Sequence, residues 1–203
     1  MITITKLVIP PHIEEPLTEY VNNILQHPSR YIIQPSQTND TFNMDVNDPR
    51  HPGLDDEFVK NWDLNNIYWG GFNLQTNKCD NLATIAYPPM SISIPLIDHL
   101  EETLQKTIIR PTGNFLYPTG GYMGWHTNGN MPGVRVYLAY SPVDHGSYFK
   151  YVDRSTNTVI TDWDDKGWTV RAFEVSQYPY DFFWHCVGAP NAPRISFGYW
   201  FKK

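Results

Sequence analysis

The chain has 203 residues, of which 41% are hydrophobic and 18% are charged, and its formal net charge is −6 at pH 7. This composition argues against global disorder, and the acidic balance disfavours capture of a nucleic-acid backbone. Because no apolar run is long enough to span a membrane and the N-terminus lacks a signal peptide, we expect a cytoplasmic protein without a membrane partner. The two cysteines form neither a disulfide framework nor a zinc motif.

The first predicted element is an amphipathic helix that follows Pro10 and Pro11 and ends at Pro28. Its apolar residues recur with a helical period, so they share one face that we expect to pack on a sheet. They are Ile13, Leu17, Tyr20, Val21, Ile24 and Leu25.

A polar stretch without periodicity runs from Gln34 to about Trp62, with a short helix expected near Asp55–Trp62. A loop of this length is usually functional or disordered. We interpret it either as a lid that faces the substrate or as surface decoration.

A second helix is predicted from Ile94 to about Thr107, with Ser93 as its cap and Pro95 in its first turn. After Arg110 the pattern changes, and apolar and polar residues alternate as they do in strands, for example over residues 134–140 and 194–201, with a turn signal at Asp164 to Gly167. Two helices followed by about seven short strands predict one α+β domain over residues 1–203. Its first part, residues 1–109, is helical and rich in loops, and its core, residues 110–203, forms a jelly roll or a related barrel with the helices on one outer face.

Two of the seven histidines differ from the others because each follows a tryptophan on a strand-like segment. They are His126 and His185. Residues two apart on a strand face the same side, so His126 and Asn128 can converge on one ion together with His185 from another strand. Two imidazoles and an oxygen donor form a facial ligand set that leaves half of an octahedral iron(II) open.

Arg194 follows His185 by nine residues, and Ser196 shares its face of the last predicted strand. A guanidinium fork beside a hydroxyl is typical of a carboxylate clamp. Arg135 lies soon after the segment of His126 and is a candidate to influence the metal ligands without binding the metal itself.

These motifs resemble the iron(II)- and 2-oxoglutarate-dependent dioxygenases. The family pattern is His-x-Asp/Glu, then a distal His, then Arg-x-Ser some nine or ten residues later, and His126, His185, Arg194 and Ser196 match it. Tyr117 stands nine residues before His126, as a tyrosine does in prolyl-hydroxylase-like members. The resemblance covers roughly residues 110–203.

The resemblance implies a double-stranded β-helix (a jelly roll, cupin-like) with the N-terminal helices packed on one outer face. It implies an oxygenase, most simply a hydroxylase, with iron(II) as its metal, 2-oxoglutarate as co-substrate and ascorbate as a further candidate cofactor. Arg194, Ser196 and Tyr117 would hold the far carboxylate of 2-oxoglutarate. The substrate that it suggests is a peptide or a protein.

Asn128 departs from the family pattern, which has a carboxylate at this place. Three interpretations stay open. Asn128 ligates through its amide oxygen or a water takes its place; the coordination position is vacant, as in family halogenases; or the chain has lost redox chemistry. Asp144 and Asp181 are weaker candidates for a replacement carboxylate. Two other functions therefore stay open: a non-redox jelly-roll protein that binds a small carboxylate or a metal or serves structurally, and a metal-dependent isomerase or hydrolase.

Overall fold

The structure is a computed structural model that describes residues 4–37, 53–61, 79–129, 131–178 and 181–203. Within these residues the chain is mostly antiparallel β-sheet with a few helices. The helices are α1 (Pro11–Gln26), α2 (Asp56–Lys60) and α3 (Met90–Leu104), with a 3-10 turn at Pro28–Arg30. The strands are β1 (Thr5–Leu7), β2 (Ile32–Gln37), β3 (Cys79–Asp80), β4 (Leu82–Ile85), β5 (Ile108–Tyr117), β6 (Tyr122–His126), β7 (Gly133–Ser141), β8 (Tyr148–Asp153), β9 (Thr158–Trp163), β10 (Gly167–Val175), β11 (His185–Gly188) and β12 (Arg194–Phe201). None of the helices described here combines the length and the apolar character that crossing a bilayer requires.

The strands form two antiparallel sheets. The larger sheet has the order β1-β10-β7-β12-β5-β4-β2, and the smaller one has the order β3-β6-β11-β8-β9. From β5 onwards, successive strands alternate between the two sheets, except for the hairpin of β8 and β9. Apolar side chains of both sheets meet in one buried cluster, so the sheets pack face to face.

Two further apolar clusters cover the outer faces of the sheets. The larger sheet packs its outward residues, such as Val136 of β7 and Phe197 of β12, against α1 and α3. The smaller sheet packs Trp125, Trp184 and Cys186 against the segment of α2. Alternate residues of a strand face opposite sides, so the neighbours of these residues point into the space between the sheets.

The prediction for α1 is confirmed in its buried face, which contributes Ile13, Leu17, Val21 and Ile24 to the core, and to within two residues in its limits, since the helix begins at Pro11 and ends at Gln26. The short helix expected near Asp55–Trp62 is α2, which Asp55 caps by accepting from the backbone N–H groups of Glu57 and Phe58. Most of the predicted loop, at residues 38–52 and at Trp62, lies outside the described residues.

The prediction for the start of the second helix was wrong. Helix α3 begins at Met90, so Ser93 and Pro95 lie inside it. The Ser93 hydroxyl donates to the carbonyl of Pro88 at 2.6 Å instead of capping the helix.

The N-terminal part is more than helices and loops, because it adds four strands to the sheets. Strands β1, β2 and β4 extend the larger sheet, and β3 extends the smaller one. These strands are only two to six residues long, too short for a clear alternating pattern, so their pairing depends on the strands beside them. Strand β5 also begins at Ile108, slightly before the predicted change at Arg110.

Candidate functional site

Two histidines from distant parts of the chain meet in the space between the sheets. His126 ends β6, His185 begins β11, and the two residues are direct partners in the antiparallel ladder. Their ring centroids lie 4.1 Å apart, and both side chains are almost completely buried. The structure therefore brings together the two imidazoles that the sequence analysis singled out.

Each imidazole has one nitrogen fixed by the backbone. Nδ1 of His126 lies 2.7 Å from the carbonyl oxygen of Gly124, and Nδ1 of His185 lies 2.9 Å from that of Phe183. A carbonyl oxygen only accepts hydrogen bonds, so both Nδ1 atoms donate and both Nε2 atoms carry a lone pair. This is the tautomer in which a histidine binds a metal through Nε2.

Burial keeps both rings neutral. It lowers the pKa of His126 to about 4. Burial, followed by the neighbouring His126, lowers the pKa of His185 well below its usual value. Two neutral imidazoles at pH 7 are the form that a divalent metal requires.

An aromatic cage surrounds His185. Phe149 and Phe183 stack on its ring with centroid distances of 5.4 Å each, and Phe173 meets the ring edge-on at 5.4 Å. These side chains belong to the apolar cluster between the sheets. They hold the ring in place and exclude water from that side of the site.

Asn128 also lies beside His185, but it does not share a strand with His126 as the sequence predicted. The strand ends at His126, and Asn128 lies beyond it with a φ of +54°, so the i and i+2 rule of a strand does not apply. Asparagine tolerates this left-handed conformation better than most residues. Its Nδ2 lies 3.2 Å from Nε2 of His185 and donates to the Tyr137 hydroxyl at 2.9 Å.

The donor set fits a divalent metal. Ligands at right angles, each about 2.1 Å from a metal, lie roughly 3 Å apart, and the end of the Asn128 amide lies 3.2 Å from Nε2 of His185. A half-turn of the amide places Oδ1 at that position, with the Tyr137 hydroxyl donating to it. Burial raises the pKa of Tyr137, so this hydroxyl keeps its proton.

No carboxylate replaces Asn128 among the residues that the structure describes, which hold no group of three His, Cys, Asp or Glu side chains suited to a metal. Asp144 lies in an exposed turn and accepts from the backbone N–H of Lys166 at 2.7 Å. Asp181 is also exposed. Among the described residues, the Asn128 amide is therefore the remaining candidate for a third donor.

The three residues of the predicted clamp lie on adjacent strands. Arg194 of β12 pairs directly with Tyr117 of β5, and its guanidinium carbon lies 5.5 Å from the centre of the Tyr117 ring. Ser196 lies two residues further along the same face of β12. All three are buried, and Nη2 of Arg194 makes no hydrogen bond to any described residue.

Arg194 also takes part in an ion-pair network that the sequence analysis missed. Its Nε donates to Asp164 at 3.0 Å, and Asp164 also accepts from Arg171 and from the Ser147 hydroxyl, each at 2.5 Å. Asp164 was expected only as part of a turn, and no sequence signal pairs it with an arginine 30 residues away. The network holds the guanidinium of Arg194 in a fixed orientation.

Tyr137 is the other site residue that sequence reasoning missed. It lies on β7 opposite Gly198 of β12, and a Cβ atom at Gly198 would lie only 3.2 Å from its ring. The glycine thus makes room for the tyrosine that contacts Asn128. The alternation along β7 did indicate that Tyr137 and Val136 face opposite sides.

No protein-family model matches this sequence, and a search of curated proteins finds no significantly similar chain.

Proposed function

We propose that the chain is an iron(II)- and 2-oxoglutarate-dependent oxygenase that hydroxylates its substrate. The observation that carries the proposal is the facing pair His126 and His185, both neutral and both with a lone pair on Nε2, with the Asn128 amide at ligand distance from one of them. Two imidazoles and one oxygen donor on one side of a metal suit non-haem iron(II).

The strand order supports a double-stranded β-helix as the scaffold. A jelly roll winds eight strands between two sheets. Strands β5 to β12 are eight in number, and they form the contiguous four-strand sets β10-β7-β12-β5 and β6-β11-β8-β9 of the two sheets. His126 and His185 lie on neighbouring strands of the smaller sheet, and Arg194 lies on the larger sheet across from it.

Each residue of the proposed site has a distinct task. His126, His185 and Asn128 hold the iron, while Arg194 and Ser196 bind the far carboxylate of 2-oxoglutarate. Bound iron would supply dioxygen activation coupled to oxidation of 2-oxoglutarate. The aromatic cage keeps the site dry on the side of His185, and Asp164 keeps the Arg194 guanidinium in position.

The neutral amide has a consequence for the order of binding. Three uncharged donors leave the charge of iron(II) uncompensated, so metal binding alone is weak. A doubly negative 2-oxoglutarate supplies the missing charge. We therefore expect iron and 2-oxoglutarate to bind cooperatively.

One observation favours a second function, a non-redox jelly-roll protein that binds a small carboxylate. In the structure Asn128 donates to Nε2 of His185, which satisfies the lone pair without a metal. In that case Arg194 binds a carboxylate and the histidines serve only the packing of the barrel.

An anaerobic titration distinguishes the two functions. Iron(II) and then 2-oxoglutarate are added to the protein, and the visible spectrum is recorded. The oxygenase predicts a charge-transfer band from the chelated keto acid, which succinate, lacking the keto group, does not produce. Absence of the band at saturating iron and 2-oxoglutarate, with the fold intact, would refute the oxygenase and favour the non-redox protein.

A further inference from the structure

A buried arginine close to the proposed metal site lacks an anionic partner among the residues that the structure describes. Arg135 of β7 is 1% exposed, and none of the ion pairs of the described residues includes it. One of its nitrogens, Nη2, donates to the carbonyl of Met131 at 2.7 Å, but Nη1 is buried and has no hydrogen bond to a described residue. An unpaired buried charge is costly, so its retention indicates that a ligand completes the site.

A second arginine, Arg110, places another positive charge near Arg135, at the surface. The Trp200 ring has the guanidinium of Arg135 at 4.9 Å on the buried side, and that of exposed Arg110 at 5.7 Å. Arg110 forms no ion pair with a described residue either, and its only described side-chain hydrogen bond goes to the sulfur of Met131. Two like charges around one ring, in a chain of net charge −6, make a local positive patch.

Arg135 is connected to the histidine pair through Tyr137 and Asn128. Arg135 lies two residues before Tyr137 on the same face of β7, a rise of roughly 7 Å along the strand. The Tyr137 hydroxyl in turn contacts Asn128. After burial and His126, the positive charge of Arg135 is one of the causes that lower the pKa of His185, in keeping with this proximity.

Arg135 and Arg194 lie on opposite sides of Tyr137. Along the ladder of β12 and β7, Trp200 faces Arg135 and Gly198 faces Tyr137. Arg194 lies further along β12 in the other direction. A co-substrate held at Arg194 therefore approaches the metal from one side and leaves Arg135 to a different anion on the other side.

We propose that Arg135, with exposed Arg110 on the other side of the Trp200 contact, binds a carboxylate of the substrate and thereby selects substrates that carry one. The substrate is a free carboxylic acid or a peptide with an acidic side chain. This assignment of substrate class rests on the proposed function, whereas the carboxylate site itself does not require iron or 2-oxoglutarate. A fork of guanidinium donors in a desolvated place discriminates strongly between a carboxylate and the amide of the same shape.

The test uses the metal-free protein and two pairs of probes. Butyrate and butyramide represent a free acid and its neutral isostere, and N-acetyl-aspartate N-methylamide and its asparagine counterpart represent a peptide. Binding is followed through the ¹⁵N-labelled arginine Nε–H resonances. We expect at least one carboxylate probe to bind about tenfold more tightly than its amide and to shift the Arg135 resonance. The pair that shows the larger preference identifies the source of the carboxylate.

Three variants assign the preference to a residue. Arg135→Gln should abolish the tenfold preference, Arg135→Lys should keep part of it, and Arg30→Gln, which removes the same charge from an exposed turn, should leave it unchanged. Equal affinity for carboxylate and amide in the unmodified protein would overturn the proposal, as would a preference that survives Arg135→Gln. If Arg135→Gln does not fold, the test is whether the carboxylate probe shifts the Arg135 resonance of the unmodified protein and the amide probe does not. Absence of such a shift would overturn the proposal.

The outcome is separable from that of the proposed function. Carboxylate binding at Arg135 without any charge-transfer band would keep this site and refute the oxygenase. A charge-transfer band without carboxylate preference would support the oxygenase and refute the carboxylate site at Arg135. If 2-oxoglutarate itself needs Arg135 rather than Arg194, the anion belongs to the co-substrate and the substrate assignment is wrong.

Discussion

His126 and His185 face each other across β6 and β11, and each donates its Nδ1 proton to the carbonyl two residues before it in the chain. The backbone of each segment thus sets the tautomer of its own histidine. Both Nε2 atoms therefore carry a lone pair in a buried place where the charged form of either ring is strongly disfavoured. A divalent metal is the ligand that we propose for this arrangement.

Asn128→Asp should raise the affinity for iron(II) by about tenfold or more, because a carboxylate adds a negative charge to two neutral imidazoles. Aspartate also tolerates the left-handed backbone at this position. Anaerobic competition against a chelator of known affinity measures the change, with Asn128→Ala as the control that removes the donor. Equal affinity in all three proteins would show that this position does not face the metal.

His185→Ala should reduce iron(II) affinity by on the order of a hundredfold or more, since it removes one of two strong donors. The matched control is His12→Ala, which removes an exposed histidine of α1. Metal stoichiometry after dialysis provides the measurement, and circular dichroism confirms the fold. Retention of one tightly bound iron per chain in the His185 variant would exclude this residue as a ligand.

Arg194→Gln should weaken 2-oxoglutarate binding by about tenfold or more while the affinity for iron(II) alone stays unchanged, because a charge-assisted contact to the far carboxylate is lost. Arg171→Gln is the matched control. It also removes a partner of Asp164 but leaves the clamp in place. Titration of the charge-transfer band measures the affinity of both variants for 2-oxoglutarate. If both variants lost the same affinity, the ion-pair network of Asp164, and not a direct contact of Arg194, would be responsible for the weaker binding.

Asp164→Asn should lower the free energy of unfolding by about 3–5 kcal/mol, because it leaves Arg171 and Arg194 buried with less compensating charge. Asp165→Asn, at the exposed neighbouring residue, should change it by less than about 0.5 kcal/mol. Urea unfolding of the metal-free proteins measures both values. Similar stabilities for the two variants would contradict a central role for the network.

The same carboxylate should make stability dependent on acid pH. Burial alone would raise the pKa of Asp164, but the charges of Arg194 and Arg171 and the hydrogen bond from Ser147 outweigh it and hold this pKa below its usual value. A lowered folded-state pKa stabilises the protein above the unfolded value of about 3.9, and this contribution is lost as the pH falls through the folded-state pKa.

Urea unfolding at several pH values tests this dependence. The difference in unfolding free energy between the unmodified protein and Asp164→Asn should be constant near neutral pH and should shrink below about pH 4. A difference that stays constant down to the acid limit would show that folding does not lower the pKa of Asp164.

Local patterns predicted much of this molecule. The helical period of Ile13, Leu17 and Val21 predicted α1 and its buried face, and the alternation of residues 134–140 and 194–201 predicted the central strands β7 and β12. These elements are long enough for a periodic pattern to be clear. Strand β3, with two residues, carries no such pattern and exists through its pairing with β6.

For the site, sequence determined which residue types are present and how they are spaced: two histidines on separate strands, an arginine nine residues after the second, and an amide where a carboxylate was expected. Only the tertiary structure decided which atoms meet. Asp164 contacts Arg194, and Asn128 contacts His185 from beyond the end of its strand. Contacts of this kind depend on strand order and register, which are set by the packing of the two sheets as a whole, so no spacing along the chain encodes them.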